Sequence, residues 1–372
     1  MNLTLKGEAA LNERGTLVGR SWSWPQWLAV AGTPFLVIEI YAVSAWLWDG
    51  PHQITQYRDG HNSPWFAAKM MEIVITIISI AVIVHLIRDI RRKRRFFTFD
   101  VMFCLVGATI FWANEGCNWF VPLWQPSSYF INLNSVMAYI PLVVNPEAGI
   151  VPDPFYFLFA METFAVLGAA MLMEPIMQAV KRRWPRISIA QQFGILALFG
   201  MIFASFESLV AIPLNLWDWP GVPHGVPMGH GYRYPLFPEL FAFGLFFAIP
   251  VSLRYFRDDK GRNVLERGMD HYSPRQRTAV TLLACYGAVQ LATWGPATVT
   301  LWPLGWFQDE WRETLPAHIN NGVCDKGVVQ NTRYGPCPGD PGFRAPFPGS
   351  LRSTPERSEA SPMRRGETAA LP

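Results

Sequence analysis

The chain has 372 residues, 51% of them apolar and only 16% charged, with a formal net charge of +3. Soluble globular proteins carry about 25% charged residues. Here the apolar residues fall in long runs, so a soluble domain is excluded and a membrane protein is expected. The basic residues sit in short clusters at the ends of those runs, which leaves no basic face for nucleic acid.

In chain order, residues 1–25 are polar and mixed. They read as a cytoplasmic segment rather than a signal peptide, because the first apolar run has no small-residue cleavage pattern behind it. Seven runs follow, at 26–48, 66–87, 99–120, 156–180, 189–217, 236–256 and 278–305. Each is long enough to cross a bilayer, which takes about 20 residues. Helices are expected, since an open strand would leave backbone groups unpaired in lipid. The expected fold class is an all-α polytopic membrane protein with a seven-helix domain over 26–305. Pro34, Pro175, Pro213, Pro250 and Pro296 fall inside runs, where neighbouring helices can re-satisfy the freed carbonyls.

Lysine and arginine set the expected orientation. The N-terminal segment and the loops after the second, fourth and sixth runs hold 3, 6, 4 and 7 basic residues, against Arg58 and Arg233 alone in the opposite loops. The N-terminus is therefore expected inside and the C-terminus outside, in a multi-pass protein of the cell membrane. Residues 306–344 would form an extracytoplasmic tail in which Cys324 and Cys337 can pair as a disulfide. Residues 345–372, rich in Pro, Ser, Arg and Glu, read as disordered.

Carboxylates inside apolar runs carry the functional signal. Glu115, in FWANEGCNWF, and Glu207, in FASFESLVA, lie deep and have no cation in their own runs. Glu162, Glu239 and Glu72 lie near the same, outer, ends of their runs, and Glu39 is mid-to-outer in the first. Lys69 is close enough to pair with Glu72. Each acid costs roughly 2.5–3.5 kcal/mol at a helix centre and less toward the interface. Acids on several helices thus point to one shared polar cavity, although a hydrogen bond between helices would also explain each one singly. Asn118, three residues after Glu115, shares its face and can orient it. Trp112 and Trp119 flank it, and Asp218 lies in the outer loop after Glu207. The aromatics also fit an interfacial belt.

Desolvation favours a neutral carboxyl, which is a general acid, and a second, ionised carboxylate is a base. Aromatic faces can stabilise a developing cation between them. Glu115 and Glu207 are the expected acid and base, with Asn118, Trp112, Trp119, Glu162, Glu239 and Asp218 around the substrate. His224 and His230 stand six apart without an HxxxH or HExxH spacing, so no metal is expected. No Walker, GxGxxG or GxSxG pattern occurs, and no cofactor is expected. No internal repeat is evident, and the last run has no lysine for a retinal. A proton-coupled transporter or a lipid-binding membrane protein remains as the reading from another class.

The segments RRFFTFDVMF (94–103), WANEGCNWF (112–120), SYFINLNSVMAYIPLVVNP (128–146), RYFRDDKGRNVLERGMD (254–270) and the cysteine-bearing tail at 321–342 occur in that order. Together they resemble the AveC-type spirocyclase family of membrane proteins, associated with spiroketal formation in actinobacterial macrolide biosynthesis. The resemblance implies cyclisation, with dehydration, of a lipophilic polyketide by acid–base chemistry. Membrane terpene cyclisation is a close variant with the same site logic. RYFRDDKG itself faces the opposite side from the acids and reads as a charged helix end and turn.

Overall fold

The computed structural model describes residues 22–53, 60–119, 123–141, 143, 151–222, 225–229, 232–236, 238–306 and 315–320. It is mainly helical. Helix α1 runs over Trp24–Asp49 and α2 over Ser63–Lys93, with Asn62 capping α2 by accepting from Trp65 N. Helices α5 (Phe155–Ala160) and α6 (Val166–Arg183) join through a π-helical turn, Met161–Ala165. Helix α7 covers Ile189–Ala211 behind a Ser188/Gln191 capping box. These four lengths, Trp24–Asp49, Ser63–Lys93, Phe155–Arg183 and Ile189–Ala211, are long and apolar enough to cross a membrane. They make the chain a multi-pass membrane protein, and their exposed faces agree. On α2, Ile73, Ile77, Ile80, Ile83 and Ile87 all face outward, which suits lipid and not water.

The run expected as one span over 99–120 is not one helix. Helix α3 (Phe99–Gly107) ends after 9 residues, about 14 Å of rise, well short of a bilayer core of about 30 Å. The cause is local. Thr109 Oγ1 donates to Val106 O at 2.7 Å, and Ile110 N turns back to Gly107 O at 3.0 Å. That closes a tight turn where an α-helix would continue. A four-residue helix α4 (Phe111–Asn114) and a 3₁₀ turn (Glu115–Asn118) follow. Helix α8 (Gly244–Tyr255) is likewise preceded by a π-helical turn, Pro238–Phe243, and α9 (Pro274–Trp306) is long but less apolar than the four spans.

Glycine sets how closely helices approach. Helix α1 packs along α9, and a Cβ on Gly287 would lie 2.0 Å from Leu28 O. Helix α7 packs on α8 in the same way, with a Cβ on Gly200 falling 2.2 Å from Gly244 O. Small residues at such crossings let backbones touch, the main route to helix association where lipid removes the hydrophobic drive.

At one end of the bundle three short antiparallel pairs form a cap. They join β1 (Gln125–Pro126) to β4 (Trp217–Asp218), β2 (Leu133–Asn134) to β3 (Pro152–Asp153), and β5 (Val226–Gly229) to β6 (Tyr232–Tyr234). Glu72 pins the cap to α2: one oxygen accepts from Ile131 N at 3.2 Å, the other from Lys69 Nζ at 2.9 Å. A short helix α10 (Ala317–Asn320) returns to the same end, where His318 O accepts from Ser128 N at 2.7 Å.

At the basic end lies a buried ion network. Arg254 donates through Nε and Nη2 to the two oxygens of Asp100, at 2.9 and 3.0 Å, and through Nη1 to Glu174. His85 Nε2 lies 2.9 Å from the same Asp100 carboxylate. The network joins α2, α3, α6 and α8. The following loop is also ordered by charge. Asp258 accepts from the backbone N–H groups of Arg262 and Lys260, and Arg262 pairs with Asp258 and Asp270. The RYFRDDKG segment is thus a charged helix end and turn. Its Arg254 also reaches the Asp of the Thr-Phe-Asp segment.

Arg254→Met should leave buried Asp100 and half-buried Glu174 without their cation, a loss of about 3–5 kcal/mol. Thermal unfolding of the detergent-solubilised protein checks it, and Arg254→Lys, unable to pair bidentately, should recover only part. The loop also has a pH signature. Backbone donation from Arg262 lowers the pKa of Asp258, and the Arg262 side chain lowers that of Asp270. Both carboxylates are depressed, so the loop's order is complete above about pH 4, the ordinary aspartate value. It is lost as pH falls through the lowered values. Hydrogen exchange over 257–270, corrected for intrinsic rates, should rise only in that acid range.

Candidate active site

A cavity of about 70 Å³ lies under the cap, walled by Trp124, Trp217, Trp219 and phenylalanines of the helices below, with Glu162, Glu207 and Ser208 on its lining. Glu207 comes from α7 and is half-buried. Glu162 is 3% exposed and lies in the π-helical turn between α5 and α6. The second π-helical turn contributes Phe243 to the same lining. Single-turn π insertions in helices gather at functional sites because the extra residue re-aims side chains. Here two of them border one cavity.

The site is braced from α3. A Cβ on Gly107 would sit 2.7 Å from Glu162 O, so only glycine lets α3 lie against the π turn. Cys104 Sγ donates to Thr163 O, taking up a carbonyl in the π turn. Thr163 Oγ1 bonds back to Phe159 O at 2.6 Å. On the cap side, β1 and β4 pair Gln125 with Asp218, which sets Trp124, Trp217 and Trp219 side by side over the cavity. Trp219 Nε1 is buried and meets no acceptor among the described residues.

Of the residues expected from sequence, Glu207 and Glu162 meet in this cavity. Asp218 is buried beside it between two wall tryptophans, and its Oδ1 accepts from Trp219 N at 2.8 Å. Asn118 is wholly buried, and its Oδ1 accepts from Leu123 N at 2.9 Å and Trp124 N at 3.1 Å. It holds the loop that carries a wall residue. Trp112 and Trp119 belong to a separate aromatic cluster, each packed on Trp294 at ring distances of 5.1 and 5.7 Å. The side chains of Glu115 and Glu239, and His224 and His230, lie outside the described residues, as do Cys324 and Cys337. Glu39 accepts from Tyr286 Oη at 2.7 Å between α1 and α9, away from the cavity.

The sequence leaves Trp217 and Trp219, which follow Glu207, to serve as wall or interfacial-belt residues alike, and does not by itself pair Asp100 with Arg254 as a clamp. For the clamp a signal was present: one aspartate at the start of an apolar run and one arginine at the end of another must find each other or stay unpaired in lipid.

Asn118→Ala should leave the Leu123 and Trp124 N–H groups without their acceptor, at about 1–3 kcal/mol for each buried group. The expected result is a lowered unfolding temperature with tryptophan emission shifted to the red. Asn118→Asp keeps a carboxylate oxygen in place and should lose less.

Comparison with known proteins agrees with this picture at the level of family. No curated protein and no solved structure matches the chain. The model of the family described as "Spirocyclase AveC-like" matches residues 93–301, from the last residue of α2 into α9, more than half of the chain and every described cavity residue. The chain belongs to the AveC-like spirocyclase family.

Proposed function

We propose that the protein is an integral membrane cyclase that closes and dehydrates a lipophilic substrate by acid–base catalysis, with spiroketal formation on a polyketide as the reaction. The observation that carries this is the meeting of Glu162 and Glu207 in one tryptophan-walled cavity. Family membership, whose name implies spirocyclase activity, supports it.

The steps follow from those groups. A substrate hydroxyl adds to a ketone and gives a hemiketal. Glu207, as acid, delivers a proton to the hemiketal hydroxyl, and water leaves. The resulting oxocarbenium ion is stabilised by the π faces of Trp124, Trp217 and Trp219. A second hydroxyl attacks that carbon, and a carboxylate takes its proton, so the spiroketal and one water are the products. Glu162 is the second carboxyl by position. Glu115 keeps its place as the alternative partner, since its turn ends in Asn118, which braces the wall at Trp124. Trp219, on the cavity wall with its Nε1–H buried and without an acceptor among the described residues, is the proposed donor to a substrate oxygen. The cavity's 70 Å³ suits one reacting centre, with the rest of a long molecule reaching toward the bilayer. Neither metal nor cofactor enters these steps.

The same reading keeps the seven apolar runs within the bilayer, the third as the broken stretch of α3, α4 and the turns that follow each, with the N-terminus and basic loops inside and the cap and tail outside. It is supported by α10, which packs on the cap at the end opposite the basic loops.

The test compares lipophilic metabolites of the native host by mass spectrometry, carrying wild-type chain or Glu207→Gln at matched membrane abundance. An open-chain precursor one water heavier than the lost product is expected to accumulate. Glu162→Gln and Glu115→Gln run beside it identify the second carboxyl by which of them also loses product. An unchanged profile for Glu207→Gln would overturn the assignment.

A further inference from the structure

The hairpin between α6 and α7 carries a second, larger hollow, a surface groove of about 870 Å³ at the basic end of the bundle. Arg183, the last residue of α6, and Arg186, in the turn, stand at its mouth. Both are exposed, and neither forms an ion pair or hydrogen bond with the described residues. Beside them Trp184 is 57% exposed. The floor continues along α7 through Gly194, Ile195 and Leu198. A Cβ built on Gly194 meets nothing within 4 Å, so this glycine keeps the floor open and does not serve helix packing. Leu198 lies nine residues into α7, about 14 Å from its start.

That arrangement has a chemical direction: two unpaired guanidinium groups at the membrane surface, an interfacial indole, and an apolar trough descending about two and a half turns toward the bilayer core. Guanidinium groups pair with phosphate oxygens through parallel N–H donors. Basic pockets between helices at one membrane face suit anionic lipid head groups. A free anion would use the arginines but not the trough, and an uncharged lipid the trough but not the arginines. We infer that the α6–α7 groove is a binding site for one anionic phospholipid, its phosphate on Arg183 and Arg186 and an acyl chain along Gly194 and Leu198. The site lies on the same two helical lengths that carry Glu162 and Glu207, at their other ends.

The test is native mass spectrometry of the full chain released from detergent with added phosphatidylglycerol or phosphatidylethanolamine. One phosphatidylglycerol should persist at activation that strips phosphatidylethanolamine. Arg183→Gln with Arg186→Gln should weaken its retention about 30-fold, roughly five-fold for each arginine. Gly194→Phe, which fills the trough and leaves both charges, should also displace the lipid. Lys181→Gln with Arg182→Gln, at the same helix end but outside the groove, should change it less than two-fold. Equal loss in that control pair would reduce the effect to diffuse surface charge and overturn the site. Retention unchanged by Gly194→Phe, or phosphatidylglycerol displaced by millimolar inorganic phosphate, would make it a free-anion site and overturn the lipid assignment.

Discussion

Arg254 is the cation on which the rest of the bundle depends. It is 7% exposed, and its guanidinium holds both oxygens of Asp100 and reaches Glu174, while His85 closes on Asp100 from α2. Charge taken out of water is tolerated only when paired and saturated with hydrogen bonds. The four helices that bear these residues are therefore fixed relative to one another at the basic end. Asp100 sits in the first turn of α3, so the network also fixes where that short helix begins.

The short α3 is what allows a cavity at the other end. The chain turns after Gly107, folds into a 3₁₀ turn, and uses Asn118 to hold the strand-like segment carrying Trp124. The π turn bearing Glu162 then packs against α3 at Gly107. The ion network and the carboxyl cavity occupy opposite ends of one bundle, linked through α3, α6 and α8. One end fixes helix positions with fully paired charge. The other leaves Glu207 and the Trp219 indole facing a hollow without a recorded partner among the described residues.

The cap and the α1–α9 crossing show the same economy. Glu72, an acid near a helix start, is consumed by Lys69 and Ile131 N, so it is a fastener. Glu39 is consumed by Tyr286 across the α1–α9 crossing. Among the described residues, Glu162 and Glu207 are the acids on the lining of the tryptophan-walled cavity.

Several parts of this were legible in the chain. Four of the seven apolar runs became single helices of nearly the expected length, because about 20 apolar residues in lipid have few other ways to satisfy their backbone. The clustering of acids toward one end was legible as well, and Glu162 and Glu207 do meet. The break at Gly107 was not, because apolar content says nothing of a threonine hydroxyl competing for Val106 O. Nor were the π turns, which lie where α3 and α7 pack on their neighbours. The separation of Trp112 and Trp119 from the cavity, and the placing of Trp217 and Trp219 on it, depended on β1 pairing with β4 across about ninety residues of chain. Composition and run length alone determined a helical membrane protein with acids toward one end. Which acids share a hollow, and which are fastened, was decided only by tertiary contacts, since a carboxyl's chemistry depends on the partners that the fold brings within hydrogen-bond reach.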